Sequence, residues 1–142
     1  MSRTILPRPN VFEIDLSAIE HNISEVRRVV GVDTLIIAAL KGNGYGFGLT
    51  EVANVVVSHG CNAIAVADLA DAANLRNQGI ELPILLYAGH VTDASTVAAV
   101  EENNVMPTIH DNIVADTYSS LAKTNIRAFV KIDIGLERLG VD

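Results

Sequence analysis

The sequence predicts an α/β fold of parallel strands and crossover helices, on three observations. Five short apolar runs recur along the chain; each is rich in Val, Ile, Leu and Ala; and amphipathic segments with helix-end signals lie between them. A strand buried on both faces reads as an unbroken apolar run, and strands alternating with helices imply parallel pairing through right-handed crossovers. The runs are Leu35–Leu40, Ala63–Ala67, Ile84–Tyr87, Val105–Ile109 and Ala128–Ile132, and their starts recur every 21 to 28 residues.

Taken in order, Val11–Leu16 alternates apolar and acidic residues and reads as a half-exposed strand outside the main repeat. Ser17, with Glu20 three residues on, makes a capping box that opens the first helix. Ile19, Ile23, Val26 and Val30 fall on one face of that helix, His21 and Glu20 on its polar side, and Gly31 stops it. A second helix runs from Thr50 to Gly60. Asp68 caps a third that ends at Gly79, with Pro83 just before the next strand. Asp93 caps a fourth reaching Asn104, and a fifth runs from Asn112 to Lys123. Residues 1–16 are thus an entry segment and strand, and residues 17–142 are βα repeats of one domain.

An open doubly wound sheet and a (β/α)8 barrel both accept this pattern. The 142 residues stop shortly after the fifth strand, about five-eighths of a barrel of ~250 residues. A parallel sheet cut there exposes two bare edges. The expectation is a partial (β/α)8 TIM-type barrel, the first part of a longer protein, whose isolated form associates through its edges.

Composition narrows the function. The chain is 49% hydrophobic and 19% charged, with a net charge of −7, which excludes charge-driven disorder. No cluster of Lys and Arg offers a phosphate-neutralising face, so neither nucleic acid nor an anionic membrane is an expected partner. The apolar runs are too short to span a bilayer, and Met1–Asn10 lacks the apolar stretch of a secretory leader. A single cysteine, Cys61, excludes a disulfide framework and fits a reducing cytoplasm; its place before a strand makes it a small core residue.

Two segments carry chemistry. The first is Leu40-Lys41-Gly42-Asn43-Gly44-Tyr45-Gly46-Phe47-Gly48, where a buried strand runs into a lysine and four alternating glycines. Chemistry in parallel α/β enzymes collects at the C-terminal strand ends. Partial desolvation there would lower the Lys41 pKa and free its amine for Schiff-base formation. The alternative is a solvated lysine opening a surface loop. A dinucleotide fingerprint starting at Gly42-Asn43-Gly44, with Asp68 as the ribose acid, is disfavoured because its third glycine would be Phe47.

The second segment, Phe129 to Gly140, places Lys131 within a strand and follows it with Asp133 and Arg138. Lys131 needs a partner there, and Asp133 on the same strand face offers an ion pair. Arg138 presents a planar fork suited to a carboxylate or phenolate. His90 and His110 follow strands three and four on the face of Lys41, but without metal-ligand spacing they read as loop histidines, and no metal is expected. Tyr87 and Tyr118 are expected to pack.

Lys41 to Gly48 resembles the pyridoxal-phosphate attachment segment of alanine racemases, Lys-Ala-Asp/Asn-Ala-Tyr-Gly-His-Gly. Lys131 to Gly140 resembles that family's Lys-Val-Asp-Thr-Gly-Met-x-Arg-Leu-Gly, and Glu13 to Asn22 is similar to its entry strand and first helix. The resemblance implies that Lys41 carries the internal aldimine to pyridoxal 5'-phosphate and exchanges the substrate Cα proton on one face. It implies that Tyr45 bonds the cofactor phosphate, and that Arg138 reaches the phenolic oxygen and the substrate carboxylate. Lys131, carbamylated in some relatives, would orient Arg138, with Asp133 in support. It further implies a full barrel, a C-terminal β-domain, a homodimer, a small amino-acid substrate, and interconversion of L- and D-alanine for peptidoglycan. Residues 1–142 would then be the N-terminal portion, inactive alone. The alternatives are a racemase for another amino acid, another pyridoxal-phosphate barrel protein, or a non-catalytic half-barrel that only dimerises. Glycine replaces the family's alanine at Gly42 and Gly44, Phe47 its histidine and Ile134 its threonine; the two glycines are expected to loosen the loop holding Lys41 and Tyr45.

Overall fold

A computed structural model describes residues 10–87 and 93–141. Its five strands, β1 (Ile37–Ala39), β2 (Ala63–Val66), β3 (Ile84–Leu86), β4 (Val105–Ile109) and β5 (Phe129–Val130), form one sheet in sequence order. Every neighbouring pair is parallel. No strand is inserted out of order, so the sheet winds as the first part of a barrel. The open doubly wound alternative, which would reverse strand order about a central strand, is not formed.

The crossover helices are α1 (Leu16–Val30), α3 (Leu49–Ser58), α4 (Leu69–Asn77), α5 (Ala94–Glu102) and α6 (Asn112–Leu121). A short left-handed turn, α2 (Lys41–Tyr45), precedes α3. Asp68, Asp93 and Asp111 each accept a backbone N–H three residues on, from Asp71, Thr96 and Val114, at 2.8 Å. These carboxylates satisfy amides that have no partner inside the helix.

The first helix departs from expectation. Its cap is Asp15, whose carboxylate accepts from the Ser17 N–H and hydroxyl at 2.9 and 2.6 Å. A carboxylate one turn earlier takes the amides that the Ser17–Glu20 box would have used. Gly31 closes α1 as expected, its N–H donating to Arg27 O at 3.0 Å. The strand expected at Val11–Leu16 is absent: residues 10–15 pair with no strand among the described residues, and Leu16 already belongs to α1. An alternating segment makes a strand only where a ladder partner exists. Residues 1–9 lie outside the described residues.

Alternate strand residues face opposite layers. Ile64, Val66, Ile84, Leu86 and Val105 pack against helix residues such as Val52, Val56, Leu75, Val97, Val100 and Tyr118. Cys61 is buried in that cluster, with Sγ 3.1 Å from Ala63 O. The opposite face carries Ala39, Ala65, Leu85 and Met106, aligned across four strands. β5 differs from the buried strand expected: Phe129, Val130 and Ile132 are exposed, because no described element packs on that side.

Candidate active site

The register fixes which side chains meet at the C-terminal ends of the strands. Leu40 N–H donates to Ala65 O at 2.8 Å and Tyr87 N–H to Val66 O at 2.9 Å, so the ladder continues past β1 and β3. Ala39, Ala65 and Leu85 share one row. Two residues further on, Lys41, Ala67 and Tyr87 therefore form the next row of the same face. From β5, Lys131 N–H donates to Ile109 O at 2.8 Å and brings Lys131 to the same mouth.

These residues open onto one cleft of about 570 Å³, lined by Lys41, Tyr45, Ala67, Tyr87, Lys131 and Arg138, with Ala39 and Leu139. Four of the five side chains singled out from the sequence thus converge. Three are cationic, and no carboxylate lines the cleft.

Lys41 begins a stretch in which Gly42, Asn43, Gly44 and Tyr45 all have positive φ, between 56° and 63°. Gly44 N–H donates to Leu40 O and Gly46 N–H to Gly42 O, both at 3.0 Å, closing the turn. The Asn43 carboxamide oxygen accepts from Leu49 N–H at 2.9 Å and so ties the turn to the start of α3. An L-residue in this region is strained by ~1–2 kcal/mol, whereas glycine adopts it freely. Gly42 and Gly44 are therefore the unstrained residues here, and the expectation that they only loosen the loop is corrected.

The loop carrying Arg138 is closed at its base. Val141 N–H donates to Lys131 O and Asp133 N–H to Val141 O, both at 2.9 Å. Inside it, Asp133 Oδ1 accepts from Gly135 and Leu136 N–H at 2.9 Å. These and the neighbouring Glu137 and Arg138 amides hold its carboxyl below the ordinary value. The ion pair expected between Asp133 and Lys131 is not formed: the ion pairs among the described residues are Arg28–Glu25 and His110–Asp111. Asp133 spends its oxygen on the turn, leaving Lys131 half-buried and facing the cleft.

Lys41 is exposed, so the desolvation expected for it is not supplied by the described residues; β1 is an edge strand with nothing beyond it. His110 is buried rather than a loop residue, its Nδ1 3.1 Å from Asp111 Oδ2. His90 lies outside the described residues, among which no group of metal-binding side chains occurs. Tyr118 packs as expected, but Tyr87 is 41% exposed and lines the cleft. The signal for Tyr87 was its place directly after an apolar strand, the same signal that marked Lys41.

The comparisons with known proteins agree with this geometry. The family model described as "Alanine racemase, N-terminal domain" matches residues 14–142. The alanine racemase of Methanococcus maripaludis is 36% identical over 131 residues, covering 90% of this chain and 35% of that protein. That of Desulforamulus reducens is 37% identical over 130 residues, with coverage of 90% and 35%. Among solved structures, alanine racemase from Corynebacterium glutamicum superimposes with a TM-score of 0.81 at 35% identity, covering 91% of this chain and 37% of that one. The Bacillus anthracis enzyme with bound L-Ala-P gives 0.83 at 29% identity, with coverage of 91% and 33%. The chain spans about a third of the length of these relatives. No helix among the described residues is long and apolar enough to cross a membrane. With its parallel βα sheet in sequence order and its matched residues 14–142, the chain belongs to the alanine racemase family, as part of its N-terminal barrel domain.

Proposed function

We propose that this chain is the N-terminal portion of a pyridoxal-phosphate-dependent amino-acid racemase, with alanine as the first substrate to test. The observation that carries the reading is the convergence of Lys41, Tyr45, Lys131 and Arg138 on one acid-free cleft. The donor set fits the cofactor: a primary amine suits an aldehyde, and a phenol with two cations suits a phosphate and a phenolate.

When bound, pyridoxal phosphate supplies an electron sink that makes a substrate Cα proton removable. Lys41 tethers it and moves that proton on one face. Tyr45, held by the left-handed turn, donates its hydroxyl to the phosphate. Arg138 donates to the phenolic oxygen and to the substrate carboxylate. Lys131 orients Arg138; carbamylation, which trades its positive charge for a negative one, would make it an acceptor for the guanidinium. Asp133 supports both by fixing the loop between them. The second base, the remaining cofactor ligands, the β-domain and the homodimer partner belong to the rest of the full-length enzyme, so residues 1–142 alone are expected to be inactive. The buried free thiol of Cys61 supports a cytoplasmic setting.

The test is borohydride reduction of the full-length enzyme with pyridoxal phosphate, followed by peptide mapping and assay of α-proton exchange with L- and D-alanine. The cofactor is expected on the peptide containing Lys41, with exchange of both enantiomers. Exchange of another amino acid but not alanine would move the reading to that substrate. Absence of any trapped cofactor would overturn it in favour of a non-catalytic half-barrel.

A further inference from the structure

We propose that Tyr87 is a cofactor-positioning residue, its ring forming an aromatic wall of the slot that opens over Ala67 opposite Lys41. The inference rests on the cofactor reading above. Lys41, Ala67 and Tyr87 occupy one row on three adjacent strands, so a methyl group separates a lysine from a phenol. Two strand spacings, ~9.5 Å, lie between the outer members, which leaves room above Ala67 for one flat ring at van der Waals contact with another.

Tyr87 is placed for this and little else. Its N–H is fixed to Val66 O at 2.9 Å, and Leu85 and Leu86 before it are buried, so its backbone is anchored. Its side chain is nevertheless 41% exposed and faces the cleft. Core packing does not explain a large aromatic there. An electron-rich phenol against an electron-poor heteroaromatic ring is a favoured offset stack. The cations Lys131 and Arg138 line the same cleft and suit the anionic groups of such a ligand.

The experiment compares the full-length enzyme with Tyr87→Ala, Tyr87→Phe and Tyr87→Leu, reading pyridoxal-phosphate affinity, the visible circular dichroism of bound cofactor, and the residue trapped by borohydride. Tyr87→Ala and Tyr87→Leu are expected to weaken cofactor binding about tenfold and to change the dichroism. Tyr87→Phe should hold affinity within about twofold, with Lys41 trapped in every variant. The Leu variant keeps apolar bulk, so it preserves the contrast if the Ala variant folds poorly. Unchanged affinity and dichroism in Tyr87→Leu, or a Phe variant no better than Leu, overturns the proposal while Lys41 trapping keeps the cofactor reading intact. Absence of trapping in the unmodified enzyme overturns that reading, and this inference with it.

Discussion

Gly140 packs directly on the backbone of Asp133. A Cβ at Gly140 would lie 2.5 Å from Asp133 N and 2.9 Å from Ile132 C, and its φ is +140°. Both atoms are main chain, so nothing can swing aside. The contact brings the two ends of the Arg138 loop together beside the Lys131–Val141 hydrogen bond.

Gly140→Ala is therefore expected to open this loop. Steric clash with backbone plus a strained φ places the loss of stability at about 2–4 kcal/mol. Denaturant unfolding measures it, and anion binding by the cleft should weaken in parallel as Arg138 is displaced. Wild-type stability in the alanine variant would show that the loop has another path.

The left-handed turn after Lys41 gives a prediction of opposite character. A Cβ at Gly42 meets nothing within 4 Å, yet its φ is +63°. Gly42→Ala should therefore cost only the conformational strain, ~1 kcal/mol, with no steric addition. A stabilising Gly42→Ala would show that the turn is not left-handed in solution.

Arg138→Ala tests the anion-facing side of the cleft. In the full-length enzyme it should leave cofactor attachment at Lys41 in place and remove ~2–4 kcal/mol of transition-state stabilisation, the scale for one oriented donor at developing charge. Lys41→Ala should instead abolish cofactor attachment. Trapping on Lys131, or attachment surviving in Lys41→Ala, would show the lysine roles to be exchanged.

Much of the fold was legible because each strand–helix junction carries its own chemistry. Asp68 and Asp93 mark helix starts wherever they stand before an apolar periodicity, and Gly31, Gly60 and Gly79 mark ends by adopting positive φ. The strand order followed from spacing alone. The misreadings share a cause: each depends on a choice between two local partners. Asp15 and Ser17 compete for one cap, and two residues decide the helix start. Asp133 can pair with Lys131 across a strand or with amides two and three residues on; the shorter closure wins. Val11–Leu16 has the alternation of a strand but no ladder among the described residues. In the candidate site, Lys41, Tyr45, Lys131 and Arg138 were legible through motif, whereas Tyr87 required the register.

Acid stability follows from four exposed carboxylates, Asp15, Asp93, Glu101 and Asp133. Each is held below its ordinary value by hydrogen bonds, from Ser17, Ser95, Thr124 and the Gly135 amide first among them. A lowered native value means that unfolding takes up protons. Their contribution is present above the ordinary carboxylate range, 3.8–4.5, and is lost as pH falls through the lowered native values. Asp71 works in the opposite sense, raised by burial and then by Asp68. The expected outcome is a thermal midpoint that falls steeply below about pH 4, less steeply in Asp133→Asn. A midpoint rising on acidification would contradict these assignments.

Tyr118 on α6 sets the alkaline side. It is 7% exposed, and its hydroxyl has no hydrogen-bond partner among the described residues. Burial pushes the phenol up from 10.0 to about 12. A raised native value means that the unfolded chain loses its proton first. The contribution is complete below pH ~10 and is lost as pH rises toward ~12. An unsatisfied buried hydroxyl also costs ~1–3 kcal/mol that a ring without it avoids. Tyr118→Phe should therefore gain about 1 kcal/mol at neutral pH and flatten the decline in stability between pH 10 and 12, measured by urea unfolding across that range. A phenylalanine variant less stable than the parent would show that the hydroxyl is hydrogen-bonded in the folded protein.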